Sequence, residues 1–439
     1  MKFDYKHSGV EKSEIEKTAK KLQPYITKLQ GVVKRGGYAS PESSINCVSD
    51  DETVENVIRL AKKKKFSKVT HIVVVGIGGS NLGTKAIYDA LYGQFDVLEP
   101  QRLPKMIFLD TCSMSLLGHF EYFVKKHITR PEECLFVLIT KSGTTTESIV
   151  NADIGFAALT KKFGIKIAER MVVVTDTDSA LWKYAFKEEI DILAIPRMVG
   201  GRYSVFSSVG LLPLAALGVP IESMLSAATH MRDVCLQPTS LKNPALLSAS
   251  ILYAHVKKGR SIHDTFLFAP ELESLGKWYR QLLAESLGKE KNREGKTVQA
   301  GLTPTVSIGT TDLHSMAQLY LGGSDERITT FVSREKDISE ELAPQSSLAA
   351  LVPGIRGTHV GTINEAILKG TQKAYQKKKR PYMDVVLKNI SPESIAEWMQ
   401  WKMMEVMFLG YLIDVNAFDQ PEVEIYKQET RKVLNAKRS

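Results

Sequence analysis

The sequence is short of the patterns that metal, redox and membrane chemistry need. Its four cysteines, Cys47, Cys112, Cys134 and Cys235, are widely scattered, and none forms a CxxC pair, so neither a zinc knuckle nor a dithiol motif is present. None of its nine histidines stands in HxxxH or HExxH spacing, and no GxxxxGK[ST] loop occurs, which argues against metal catalysis and a triphosphate site. The most apolar stretch, Val209 to Ile221, is interrupted by Pro213 and Pro220. It falls below the ~20 residues of a membrane helix and reads as a buried helix. The opening residues, Met1 to Lys6, hold no apolar leader core. These gaps predict a reduced, cytoplasmic protein with no membrane segment.

What is present is ordinary globular composition: 439 residues, 43% hydrophobic and 24% charged, enough for two substantial domains. The net charge of +9 owes much to Lys62-Lys63-Lys64-Lys65 and Lys377-Lys378-Lys379-Arg380. Such runs serve either as nucleic-acid patches or as solvated helix ends and loops. No aromatic interleaving or nucleic-acid motif accompanies them, so the second reading is preferred and no nucleic acid is expected. A positive field still attracts anionic metabolites.

The pattern predicts a helix from Val10 to Leu29, then a loop. Apolar strands follow at 72–76, Met106 to Asp110, 134–140, Met171 to Thr175 and Ile190 to Ile195. A recurrence of roughly thirty residues is the spacing of βαβ units in a parallel sheet. After a long apolar helix from near Tyr203, a second block offers Thr265 to Ala269, Thr305 to Gly309, Arg327 to Val332 and Met383 to Leu387. The last fifty or so residues read as helix through Leu412, a loop, and a short basic helix ending at Ser439. The expected class is α/β, with two parallel-sheet units and helical extensions at both ends.

Two loops rich in small residues stand at predicted strand ends. Gly76-Ile-Gly-Gly-Ser-Asn-Leu-Gly83 follows the first strand, and Thr140-Lys-Ser-Gly-Thr-Thr-Thr-Glu-Ser148 follows the third. A strand that ends in such a loop and opens a helix aims free N–H groups and a positive dipole end at an anion. The hydroxyls of Ser142, Thr144, Thr145, Thr146 and Ser148 add donors without permanent charge, and Ser80 serves likewise. Thr144 and Glu147 fit a capping box, so the competing reading is a plain capped helix. The first loop only half matches a dinucleotide fingerprint, because position 81 is asparagine.

Four residues are acid–base or electrostatic candidates. Glu285 continues the apolar stripe Leu275, Trp278, Leu282, with Gln281 one turn earlier. A carboxylate on an apolar face is desolvated and suited to act as a base, unless the helix end has reached solvent. His314 follows a predicted strand, where Asp312 or a hydroxyl would fix its tautomer; the alternative is a structural histidine. Arg202, on the hinge Gly200-Gly201, would offset a developing oxyanion or serve as an interdomain ion pair. Gln420 and Lys427 lie in Phe418-Asp-Gln-Pro-Glu-Val-Glu-Ile-Tyr-Lys427; Lys427 is a proton donor if its helix folds back and a surface lysine otherwise.

GIGGSNLG, SGTTTE, GGRYS, AESLGK, TDLHSM and FDQPEVEIYK occur in that order. Over nearly its whole length the chain resembles the glucose-6-phosphate isomerase (phosphoglucose isomerase) family, in its compact bacterial form. The resemblance implies two sugar-isomerase (SIS) domains and cofactor-free interconversion of glucose 6-phosphate and fructose 6-phosphate. It implies that Gly79, Ser80, Ser142, Thr144 and Thr145 hold phosphate, with Lys141, Gln281 and Gln420 close by. Glu285 would shuttle the proton between C1 and C2, Arg202 would steady the cis-enediol(ate), and His314 and Lys427 would assist ring opening. His314 would come from a neighbouring subunit, which implies a homodimer. The expected divisions are an N-terminal helical extension (1–45), a first SIS domain (46–205), a second (206–390) and a C-terminal extension (391–439).

The chain departs from the family pattern at Arg197 and at Glu422, where a glycine is usual. A positive φ at Glu422 would strain the loop that carries Lys427. Two other functions remain on this evidence. A non-catalytic sugar-phosphate sensor would need the loops but not Glu285, His314 or Lys427, and an isomerase of wider scope would also accept mannose 6-phosphate.

Overall fold

A computed structural model describes residues 1–238, 242–335 and 343–436. The strands are β1 (Lys2–Asp4), β2 (His71–Val75), β3 (Lys105–Leu109), β4 (Cys134–Ile139), β5 (Met171–Asp176), β6 (Asp191–Ile195), β7 (Ile262–Leu267), β8 (Lys289–Lys291), β9 (Thr297–Ala300), β10 (Thr303–Ile308), β11 (Arg327–Arg334) and β12 (Tyr382–Leu387). One five-stranded sheet has the order β3-β2-β4-β5-β6 and is parallel throughout. Its central strand β4 (CLFVLI) is buried along its whole length, as expected of a parallel strand covered on both faces. The second sheet runs β1-β12-β11-β7-β10, parallel except for the edge strand β1.

The two sheets are wound alike. β2 opens the first, β3 joins one side of it and β4 the other; β7, β10 and β11 repeat this in the second. Each sheet therefore has a switch point at its opening strand, where α/β sheets form a crevice at the carboxyl ends. Both small-residue loops stand at the first switch point, following β2 and β4. The sheets share one apolar core with the helices Ser208–Leu217, Pro244–Lys257 and Pro392–Leu412. Those helices are apolar nearly all round, and such helices are buried rather than amphipathic. The stretch broken by prolines is indeed a buried helix, with Pro213 inside it.

Several expectations change. Residues 2–4 form an edge strand of the second sheet, so the N-terminal segment is not purely helical. Its helix spans Lys12–Arg35. The long helix after Tyr203 is two, Ser208–Leu217 and Ile221–Cys235. The final helix is Val423–Ala436, and residues 437–439 lie outside the described residues. The first lysine run is not simply solvated: Lys64 is buried and pairs with Asp191 at 2.6 Å. None of the described helices is long and apolar enough to cross a membrane.

Candidate active site

The loop after β2 is shaped by glycine. Gly78 has φ +60°, and a Cβ there would lie 2.9 Å from Gln281 Nε2. A Cβ on Gly79 would lie 2.2 Å from the Gly201 carbonyl carbon and 2.6 Å from Arg202 N. The loop is thus pressed, backbone on backbone, against the hinge that carries Arg202. Ser80 ends this turn half-buried, and its hydroxyl bonds to no described residue.

The loop after β4 holds its hydroxyls together. Thr145 Oγ1 lies 2.9 Å from Thr140 Oγ1 and 3.4 Å from Ser142 Oγ, and Thr144 N donates to Ser142 Oγ at 3.3 Å. The expected capping box from Thr144 to Glu147 does not form. The helix starts at Thr146, and Thr145 precedes it without a side-chain cap. Thr145 is instead turned toward its fellow hydroxyls, which leaves the first-turn amides uncapped beside exposed Ser142 and Thr144. Uncapped first-turn amides of this kind are suited to an anion. Lys141 bridges away from it: its Nζ donates to the carbonyls of Arg197 (2.7 Å) and Val199 (2.9 Å). Burial pulls its pKa below the ordinary lysine value, reinforced by Arg197 and opposed by Asp176.

Arg202 collects the remaining pieces. Its guanidinium is buried and uses all three nitrogens. Nε donates to Ser286 Oγ (2.7 Å), Nη1 to Glu285 Oε2 (3.4 Å) and Gln420 Oε1 (3.0 Å), and Nη2 to the carbonyls of Ala417 (2.8 Å) and Asp419 (3.1 Å). The ion-pair reading of Arg202 holds, and its partner is the candidate base itself. Glu285 stands in the last turn of the helix Glu273–Leu287, whose Leu275, Trp278 and Leu282 are buried. Its carboxylate is desolvated only in part: the side chain is 31% exposed. Gln281 Nε2 donates to Glu285 Oε1 at 2.9 Å, so each carboxylate oxygen has a donor, while Gln281 Oε1 is buried without a partner among the described residues.

His314 and Lys427 are not brought to this cluster by the single chain. His314 is exposed after β10, at the second sheet's switch point. Asp312 does not orient its ring, because that carboxylate accepts from Ile308 N and from Ser315 Oγ, each at 2.7 Å. Lys427 pairs with Glu424 at 2.7 Å, on a helix with no buried residue. Glu422 does not adopt a positive φ, so the expected strain is absent; its Oε1 accepts from Glu290 N at 3.4 Å.

The sequence reading missed Lys289, Ser286, Tyr203 and the carbonyls of residues 417 and 419. Lys289 is buried and donates to the carbonyls of Glu285 (2.5 Å) and Asp419 (2.8 Å). Its only signal was the last letter of AESLGK.

A family model described as phosphoglucose isomerase matches residues 53–439. A glucose-6-phosphate isomerase of Carboxydothermus hydrogenoformans is 32% identical over 88% of this chain and 82% of its own. A solved structure of a Thermus thermophilus protein described as hypothetical superposes with TM-score 0.85 at 27% identity, covering 99% of both chains. A solved glucose-6-phosphate isomerase of Chlamydia trachomatis superposes with TM-score 0.83 at 21% identity, covering 100% of this chain and 89% of that one. The last likeness bears on the fold alone.

Proposed function

The chain belongs to the phosphoglucose isomerase family and interconverts glucose 6-phosphate and fructose 6-phosphate, and we propose that it does so through the two loops and the Arg202 cluster. The phosphate binds to the hydroxyls of Ser80, Ser142, Thr144 and Thr145 and to the uncapped amides of the helix after β4. Gln420 adds a donor, since its carboxamide oxygen is already engaged by Arg202. Gly79 gives the close approach, and Lys141 holds the loop against the hinge. Phosphate binding orients the carbonyl end of the sugar without taking part in the chemistry.

The ring opens when a proton is placed on the ring oxygen and one leaves the anomeric hydroxyl. His314 of the partner subunit and Lys427 serve this step, the homodimer bringing the histidine into the cleft and the last helix, folded back, bringing the lysine. Glu285 then takes the C2 proton of the aldose, and the C–H electron pair becomes the C1–C2 double bond of the enediolate. Arg202 offsets the charge that appears on oxygen. Glu285 returns the proton to C1 while a proton passes between O1 and O2. Atoms and electrons balance without an oxidant. Gln281 orients the carboxylate.

The observation that carries this reading is the single guanidinium that joins Glu285 to Gln420, residues remote in sequence, on the hinge against which the loop after β2 is pressed. The test is turnover of fructose 6-phosphate by the purified protein beside Glu285→Gln. The variant is expected to lose at least ~10²-fold in kcat, the scale of a positioned base; undiminished turnover would falsify the assignment. The four cysteines are all unpaired, which suits the proposed cytoplasmic location.

A further inference from the structure

Among the described residues, Lys289 is the buried ion beside the cluster to which the mechanism above gives no task. It follows the helix that carries Glu285 and opens β8. Its ammonium reaches back to the Glu285 carbonyl and across to the Asp419 carbonyl, with the Asp419 carboxylate at 3.6 Å. Arg202 Nη2 donates to that same Asp419 carbonyl. Two cations therefore grip one carbonyl oxygen, and the next residue is Gln420. The hairpin that begins at Lys289 also holds the approach to this segment. Arg293 Nε and Asn292 Nδ2 each donate to the Asp414 carboxylate at 2.8 Å.

We propose that Lys289 is a positioning residue for the isomerase reaction, setting Glu285 and Gln420 in register by bridging the carbonyls of residues 285 and 419. The inference rests on the catalytic reading of Glu285 given above. A lysine that merely capped its helix would bond the last carbonyls of that helix and no more. Lys289 spends half its hydrogen bonding on a different segment, the one that carries the second partner of Arg202. Burial, and then the like charge of Arg202, push its pKa below the ordinary lysine value, while Asp419 and Glu422 act the other way. The site is also reachable: Lys289, Asp419, Glu422 and Ile425 line an open cavity of about 540 Å³.

The test is a split between kcat and KM. Lys289→Met is expected to lower kcat about ten- to hundredfold, the effect of a misplacement near 1 Å. KM for fructose 6-phosphate should change less than kcat, because Gln420 is one phosphate donor among several and the others stand in the two loops. Lys289→Gln, with a shorter arm and one donor group, should fall between the two and stands in if the methionine variant does not fold. In Lys289→Ala, propylammonium in the medium should restore kcat saturably through the open cavity. An unchanged kcat, a loss confined to KM, or a loss of melting temperature alone overturns the proposal, as does failure of propylammonium to restore turnover. Glu285→Gln measured alongside separates the two readings. If it is inactive while Lys289→Met is fully active, only the role of Lys289 is lost; if it is active, the base assignment fails first.

Discussion

The two sheets share a winding and differ in what stands at their switch points. In the first, β2 and β4 run into loops of glycine, serine and threonine. In the second, β7 runs into Phe268-Ala-Pro-Glu-Leu-Glu273, where Phe268 is buried and a Cβ on Gly309 would lie 3.0 Å from its ring. One crevice offers amides and hydroxyls; the other is packed with an aromatic ring. Sheet topology supplies a place for a ligand, and loop composition decides whether anything binds there. The second unit instead contributes the helix after β7, which brings Glu285 to the hinge that leaves the first. On the proposed reading, most of the anchoring belongs to the first unit and the base comes from the second.

That division can be broken at its joint. Arg202→Lys removes the planar fork that spans Ser286, Glu285, Gln420 and two carbonyls. A lysine offers three donors around one point and cannot replace it. The expected loss in kcat is about 10²–10³-fold, read by steady-state kinetics, with KM affected less. Gly79→Ala puts a methyl group where the Gly201 carbonyl carbon stands 2.2 Å away. Forcing the loop off the hinge is expected to remove about 1–3 kcal/mol of stability and to impair kcat and KM together, as seen by thermal melting and kinetics on one preparation. Thr145→Ala deletes one hydroxyl from the anchoring unit. A hydrogen bond to a charged group contributes about 1.5–3 kcal/mol, so KM should rise roughly tenfold or more, with kcat near its original value. Were Thr145→Ala to depress kcat alone, the separation of anchor from chemistry would be wrong.

Much of the fold was legible because parallel strands covered on both faces are continuous apolar runs. β2 to β6 fall within about one residue of the reading at either end. β7 was placed to start at Thr265 but starts at Ile262, because His263 and Asp264 are polar and yet buried. His263 is bonded to Thr330 Oγ1 at 2.9 Å, and Asp264 accepts from Thr305 and Ser307. Cross-strand partners satisfy these side chains, and a single strand's sequence does not reveal such partners. β1, β8 and β9 were missed for another reason: each has at most four residues and little apolar pattern. In the site, the local loops were readable and the long-range bonds only partly so. Glu285, Gln281, Arg202 and Gln420 do meet, but the capping box dissolved once Thr145 found other hydroxyls. Half of the acceptors around Arg202 and Lys289 are backbone carbonyls, which leave no mark on the identity of the residue that supplies them.

The contact between Gly79 and Gly201 has a consequence for substrate length. At Gly79 and Gly201 backbone meets backbone, so no side-chain rotamer there can change the span from loop to hinge. On the proposed reading that span acts as a fixed ruler, laid along the carbon chain from its phosphorylated end. A sugar phosphate one carbon shorter, held by the same tail, would offer the wrong carbon to Glu285, and the enzyme would reject it by geometry alone.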